Sequence, residues 1–251
     1  MTTARIIVGV DGSTGARTAL EWAVDECRLR SCTLLVVYAR QAHPDAAGPV
    51  GLGYDEVAER LLTRHAAAAS ARQPGVAVTT LLSGGPPAST LIDLSADAEL
   101  VVVGTRGNSA FTSTMLGSIS TRTAAHAHCA VAVVPQRLAT RTDENERPVV
   151  VGVFAGHAGR LGFEFARDEA RVRGARLRSV SAEPDAEPAE NLLRAAEAAQ
   201  LLVLGCLHSE DRWSSRLGAV PTAILHRATC PVIVVSELPQ MSMTANEWRT
   251  P

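Results

Sequence analysis

The chain has 251 residues, 46% of them hydrophobic and 20% charged, with a net charge of −2. These values suit a soluble chain of one or two domains and lack the basic footprint of a nucleic-acid binder. No run reaches about 18 uncharged apolar residues, which excludes a transmembrane helix, and all 24 basic residues are arginine, which excludes a P-loop lysine and Schiff-base chemistry.

A strand-like run already begins at Ile6, so no signal peptide is expected. Five cysteines, with no CxxC pair, read as reduced thiols, and the expected location is the cytoplasm. Short β-branched runs predict strands at about 5–10, 33–39, 76–82, 100–104 and 131–134. Between the first two, Ala16, Ala19, Leu20, Ala23, Val24 and Cys27 form one apolar helical stripe, with Ser13 as its N-cap. Tyr54 to Arg72, Pro87 to Ala98 and Ser118 to His128 read as further helices. Strands alternating with helices predict a doubly wound parallel α/β fold.

The pattern then repeats. Arg5 to Val10 corresponds to Pro148 to Val153, and Thr33 to Ala39 to Arg176 to Ala182, both at an offset of 143 residues. Leu100 to Gly104 corresponds to Leu201 to Gly205, and Cys129 to Val134 to Cys230 to Val235, at an offset of 101. Two copies of one domain are expected, at 1–137 and 148–237, with Arg137 to Arg147 as a polar linker and 238–251 as a flexible tail. The second copy is short by the difference of the offsets, 42 residues.

In open parallel sheets ligands sit beyond the carboxyl ends of the strands. The first strand leads into Asp11-Gly12-Ser13, and the fourth into Gly104-Thr105-Arg106-Gly107, followed by Gly117-Ser118 at a helix start. Glycines there let backbone amides approach a phosphate, and a helix N-terminus adds partial positive charge. Asp11 has the wrong sign for phosphate and suits a sugar hydroxyl, an amino group or a metal ion. His126, His128 and Cys129 share no helix face, and Ser83-Gly84-Gly85-Pro86 reads as a turn, so neither a metal site nor a catalytic set is assigned.

The G-x2-G-x9-G-S spacing, together with Gly9 to Ser13 and the Ser83 to Pro86 turn, resembles the universal stress protein family, as a tandem member of its ATP-binding branch. The resemblance implies a five-stranded parallel sheet in the order 3-2-1-4-5 and ATP, with Mg2+, in the first copy. Asp11 would meet the adenosine portion and the Val37 backbone the adenine edge. Gly104, Gly107, Gly117 and Ser118 would surround ribose and phosphates, with Val103 and Ile119 as walls. Gly12 and Ser13 share the Asp11 loop, and Arg106 could reach phosphate.

The second copy departs from this pattern, with Phe154 for Asp11, His208 for Gly107 and Ala219 for Ser118, and is expected to be nucleotide-free. Its missing residues correspond to helix two and edge strand three. The last strands of the two copies are expected to pair antiparallel, making the chain an intramolecular pseudo-dimer, with a homodimer as a second option. The implied function is ATP-dependent regulation. A slow ATP-hydrolysing enzyme and a nucleotide-free interaction module are the alternatives.

Overall fold

The computed structural model describes residues 4–40, 52–105, 118–136, 138, 147–153, 156–181, 187–206 and 217–236, with side chains left out at 52–55 and 118. The β-branched runs become strands and the apolar stripes become helices. The first half comprises β1 (Arg5–Gly9), α1 (Thr14–Arg30), β2 (Thr33–Ala39), α2 (Leu52–Arg72), β3 (Val78–Ser83) and α3 (Pro87–Leu94). A 3-10 turn (Ser95–Asp97), β4 (Leu100–Gly104), α4 (Ser118–His126) and β5 (Ala130–Val134) complete it. The second half comprises β6 (Val149–Val153), α5 (His157–Val172), β7 (Leu177–Ser181), α6 (Pro188–Glu197), β8 (Leu201–Cys206), α7 (Ala219–Arg227) and β9 (Val232–Ser236).

Because side chains alternate along a strand, each strand feeds two cores. Ile6, Val8, Leu34, Val36, Leu100 and Val102 pack under α1, α2 and α5. Ile7, Leu35, Val101, Val103, Val131 and Val133 pack under α3, α4, α6 and α7. The result is an α/β/α sandwich. Its sheet runs β3-β2-β1-β4-β5-β9-β8-β6-β7. All neighbours are parallel except β5 and β9, which pair antiparallel through Val131 with Val234, Ala132 with Ile233 and Val133 with Val232. The order 3-2-1-4-5 expected of the first half is present, and beyond the junction the second half runs β9-β8-β6-β7, the same order reversed without a counterpart of β3.

Two helix ends differ from the sequence expectation for one shared reason. The buried Ser95 hydroxyl donates to the Ile92 carbonyl and accepts the His128 N–H at 2.8 Å. The helix expected to reach Ala98 therefore stops at Leu94 and tightens into the 3-10 turn. The helix expected to reach His128 stops at His126, because the next N–H but one is diverted out of the helical ladder. α1 ends as the caps dictate, with Ser31 left-handed at φ 54° and Cys32 N–H bonded to the Cys27 carbonyl at 3.0 Å.

Only residues 182–187 lie between β7 and α6, so no counterpart of α2 and β3 intervenes. The exposed flank shows the consequence. Leu20 on α1 is 1% exposed beneath α2, whereas Phe163, its equivalent on α5, is 38% exposed, and Val24 is replaced by the exposed Arg167. Leu20→Ala should therefore cost about 2–5 kcal/mol and Phe163→Ala about 1 kcal/mol or less in denaturant unfolding. Equal losses would show that α5 is covered by something else.

Candidate functional site

β1 and β4 are adjacent, but the chain leaves β1 toward β2 and β4 toward β5, so the strand order reverses between them. α1 leaves over one face and α4 lies over the other, which opens a crevice at their shared carboxyl edge. Since β1 parallels β2 and β4 parallels β5, both helices must start at this edge. Their N-terminal amides and dipoles face the crevice, an arrangement that favours an anion.

The β1–α1 connection is built by local hydrogen bonds. Asp11 Oδ1 accepts the Ser13 N–H at 3.0 Å, and Ser13 Oγ accepts the Ala16 N–H at 3.1 Å, which caps α1 as expected. The pair holds the Asp11 carboxylate half-buried beyond the end of β1. Gly12 lies at φ +81°, a conformation that favours glycine, and a Cβ there would stand 2.7 Å from Leu61 Cδ1 of α2, a side-chain end that would have to shift. Leu61 was not legible as part of this loop, because the two residues stand 49 positions apart in the chain.

The remaining expected residues fall in different settings. Val37 lies in β2 opposite Gly9, with its side chain 1% exposed in the core and its carbonyl accepting the Val10 N–H at 2.9 Å. Only its backbone is placed near the crevice. Val103 is likewise a buried core residue of β4, while Ile119, in the first turn of α4, is 37% exposed. Ser118 is the first residue of α4. Arg106, Gly107 and Gly117 lie outside the described residues.

Gly104 shows a role that spacing alone did not. A Cβ on it would stand 2.8 Å from the backbone C and O of Gly15, so its missing side chain admits α1 against the end of β4. Thr105 N–H continues the ladder to the Val134 carbonyl at 3.0 Å.

The second half repeats the scaffold with altered chemistry. Gly205 stands in for Gly104 and packs against Ala158 and Gly162 of α5. Gly218, the equivalent of Gly117, precedes α7 at φ +83°. Gly156 stands where Ser13 does and gives α5 no side-chain cap, and Ala219 stands where Ser118 does. Cys206 replaces Thr105, and burial pushes its thiol up to about 12, which leaves it protonated and unreactive at neutral pH. Phe154 and His208 lie outside the described residues. Among the described residues no group of His, Cys, Asp and Glu could hold a metal ion, and no helix is long and apolar enough to cross a membrane.

This architecture, a crevice at a reversal point between two helix starts, is that of a doubly wound α/β domain with its ligand crevice at the carboxyl edge of the sheet. The sequence model described as the universal stress protein family matches residues 2–135, more than half of the chain, and the protein belongs to that family. A universal stress protein of Mycobacterium tuberculosis (strain H37Rv) is 27% identical over 92% of this chain and 97% of its own length. The crystal structure of a universal stress protein from Archaeoglobus fulgidus superposes with a TM-score of 0.73 at 16% identity, covering 94% of this chain and 99% of its own. Another A. fulgidus universal stress protein, solved in complex with dAMP, covers 53% of this chain and 98% of its own at 22% identity and a TM-score of 0.44.

Proposed function

We propose that this protein is an ATP-binding regulator whose first half alone holds the nucleotide. The observation that carries this reading is the convergence, at one reversal point, of the Asp11–Ser13 turn with the N-terminal ends of α1 and α4. The fixed Asp11 carboxylate suits a ribose hydroxyl, and the two helix starts suit phosphates. Ser118, Gly107, Gly117 and Arg106 would complete the phosphate side, Val37 would offer its backbone to adenine, and Mg2+ would accompany the phosphates. The second half lacks the Ser13 cap and the Ser118 hydroxyl, and serves as the partner domain of an intramolecular pseudo-dimer joined at β5 and β9. Changes in occupancy would then be read by other proteins as changes in the crevice surface.

Calorimetric titration with Mg-ATP should give one site per intact chain. Asp11→Ala should weaken binding about ten- to a hundred-fold through loss of a charge-assisted hydrogen bond, and lower unfolding stability by about 0.5–1.5 kcal/mol through the lost Ser13 N–H bond, leaving the domain folded. Two equivalent sites would defeat the asymmetric reading. No binding would favour a nucleotide-free interaction module.

A further inference from the structure

A second cavity, of about 360 Å³, lies between α1 and α2, away from the β4 side of the crevice. Its walls include Arg17, Glu21, Arg64, His65 and Arg72, over a floor that contains Leu20 and Val24. That volume is within the range of small-ligand sites.

The charges lining it are incompletely paired. Arg72 is held by Asp25 through both guanidinium and carboxylate atoms, at 2.7–3.0 Å. Among the described residues the Arg17 and Arg64 side chains make no hydrogen bond or ion pair, and neither does Glu21. Arg64 has Arg60 four residues before it and Ala68 four after, so its own helix supplies no acidic partner at i±4. Arg17 stands four residues past the N-cap of α1, whose first turn has no acidic residue, at the end where the helix dipole disfavours a cation. Both side chains are exposed at the rim of the cavity, where an anion between the two helices would meet both.

His65 adds direction. It is 7% exposed, and its Nδ1 lies 2.8 Å from the Leu61 carbonyl, which can only accept. Nδ1 therefore carries a proton, and Nε2 is the ring nitrogen left for a ligand. Of the three guanidinium groups lining the cavity, two are not ion-paired, and beside them stand this imidazole and the Glu21 carboxylate, which can each accept from a hydroxyl.

We infer that the cavity between α1 and α2 binds a small soluble phosphorylated metabolite, its phosphate on Arg17 and Arg64 and its hydroxyls donating to His65 Nε2 and Glu21. The cavity also touches Gly12 in the β1–α1 turn. A ligand there would contact the loop that forms one side of the crevice without occupying the crevice.

The test is calorimetric titration of the intact chain with inorganic pyrophosphate, and separately with adenosine, which carries no phosphate. The Arg17→Ala/Arg64→Ala variant should weaken pyrophosphate binding about ten- to a hundred-fold or more and leave adenosine binding unchanged. Arg28→Ala, on an exposed part of α1 outside the cavity, should change neither. A pyrophosphate stoichiometry that the double substitution leaves unchanged, a loss of the same site with Arg28→Ala, or no binding by the parent at millimolar concentration would overturn the site, since pyrophosphate held in the crevice would persist as a separate class. Adenosine binding reports the crevice independently, so failure of one reading is distinguishable from failure of the other.

Discussion

Arg173→Ala should destabilise this protein by about 3–5 kcal/mol, the cost of stripping one partner from a buried ion pair. Arg173 lies just past α5, one turn beyond Glu169, and Glu26 and Arg30 occupy the equivalent places at the end of α1. The four side chains close a ring across the two halves. Arg30 Nε meets Glu26 at 3.2 Å and its Nη2 meets Glu169 at 2.5 Å, while Arg173 Nη2 meets Glu26 at 2.5 Å and Glu169 at 3.2 Å. The carboxylate side chains are only 3–4% exposed and the guanidinium side chains 11–15%, so solvent screens the ring weakly.

Without Arg173, two buried carboxylates would share one guanidinium. Replacing all four residues with leucine should cost less than the single substitution, because no charge is left stranded. Denaturant unfolding of parent, single and quadruple variants measures both differences. A loss below about 1 kcal/mol for Arg173→Ala would place the ring among ordinary surface pairs.

Gly205→Ala should be nearly as damaging, for a steric reason. The added Cβ would fall 1.8 Å from the Ala158 carbonyl oxygen and 3.1 Å from the Gly162 nitrogen. Backbone cannot rotate away as a side chain can, so α5 would have to lift from β8. At Gly104 the corresponding approach is 2.8 Å, to Gly15, and Gly104→Ala should cost less, about 1–3 kcal/mol. Thermal unfolding of both variants checks the order, and parental stability in Gly205→Ala would contradict the close helix approach. Any loss of nucleotide binding in Gly104→Ala must be judged beside its stability, since the same residue serves packing.

That dual service explains a limit of motif reading. Gly104 and Gly205 occupy equivalent places, and Gly205 persists in the half that has lost the Ser13 and Ser118 hydroxyls. Its retention follows from helix packing, and that of Gly218 from a positive φ, so glycine spacing reports the scaffold as well as the ligand. Asp11 and Ser13 carry more site-specific information, because their hydrogen bonds shape the turn itself.

Much of the fold was present in the amino-acid pattern. The spans of β2 and β4 and the Ser13 cap of α1 follow from apolar runs and capping chemistry, which act over a few residues. The sheet order rested on resemblance to a family. Other features required elements distant in the chain to meet. Ser95 diverts the His128 N–H, Leu61 closes on Gly12, and Arg30 reaches Glu169. Glu26 with Arg30 and Glu169 with Arg173 stand 143 residues apart in matching spacing, a signal available in the sequence that reads locally as a solvated helix end. A residue's neighbours in sequence determine the element it joins. Whether its charge is solvated or buried, and whether its glycine is a turn or a contact, depends on which other element covers it, and only the tertiary structure decided that.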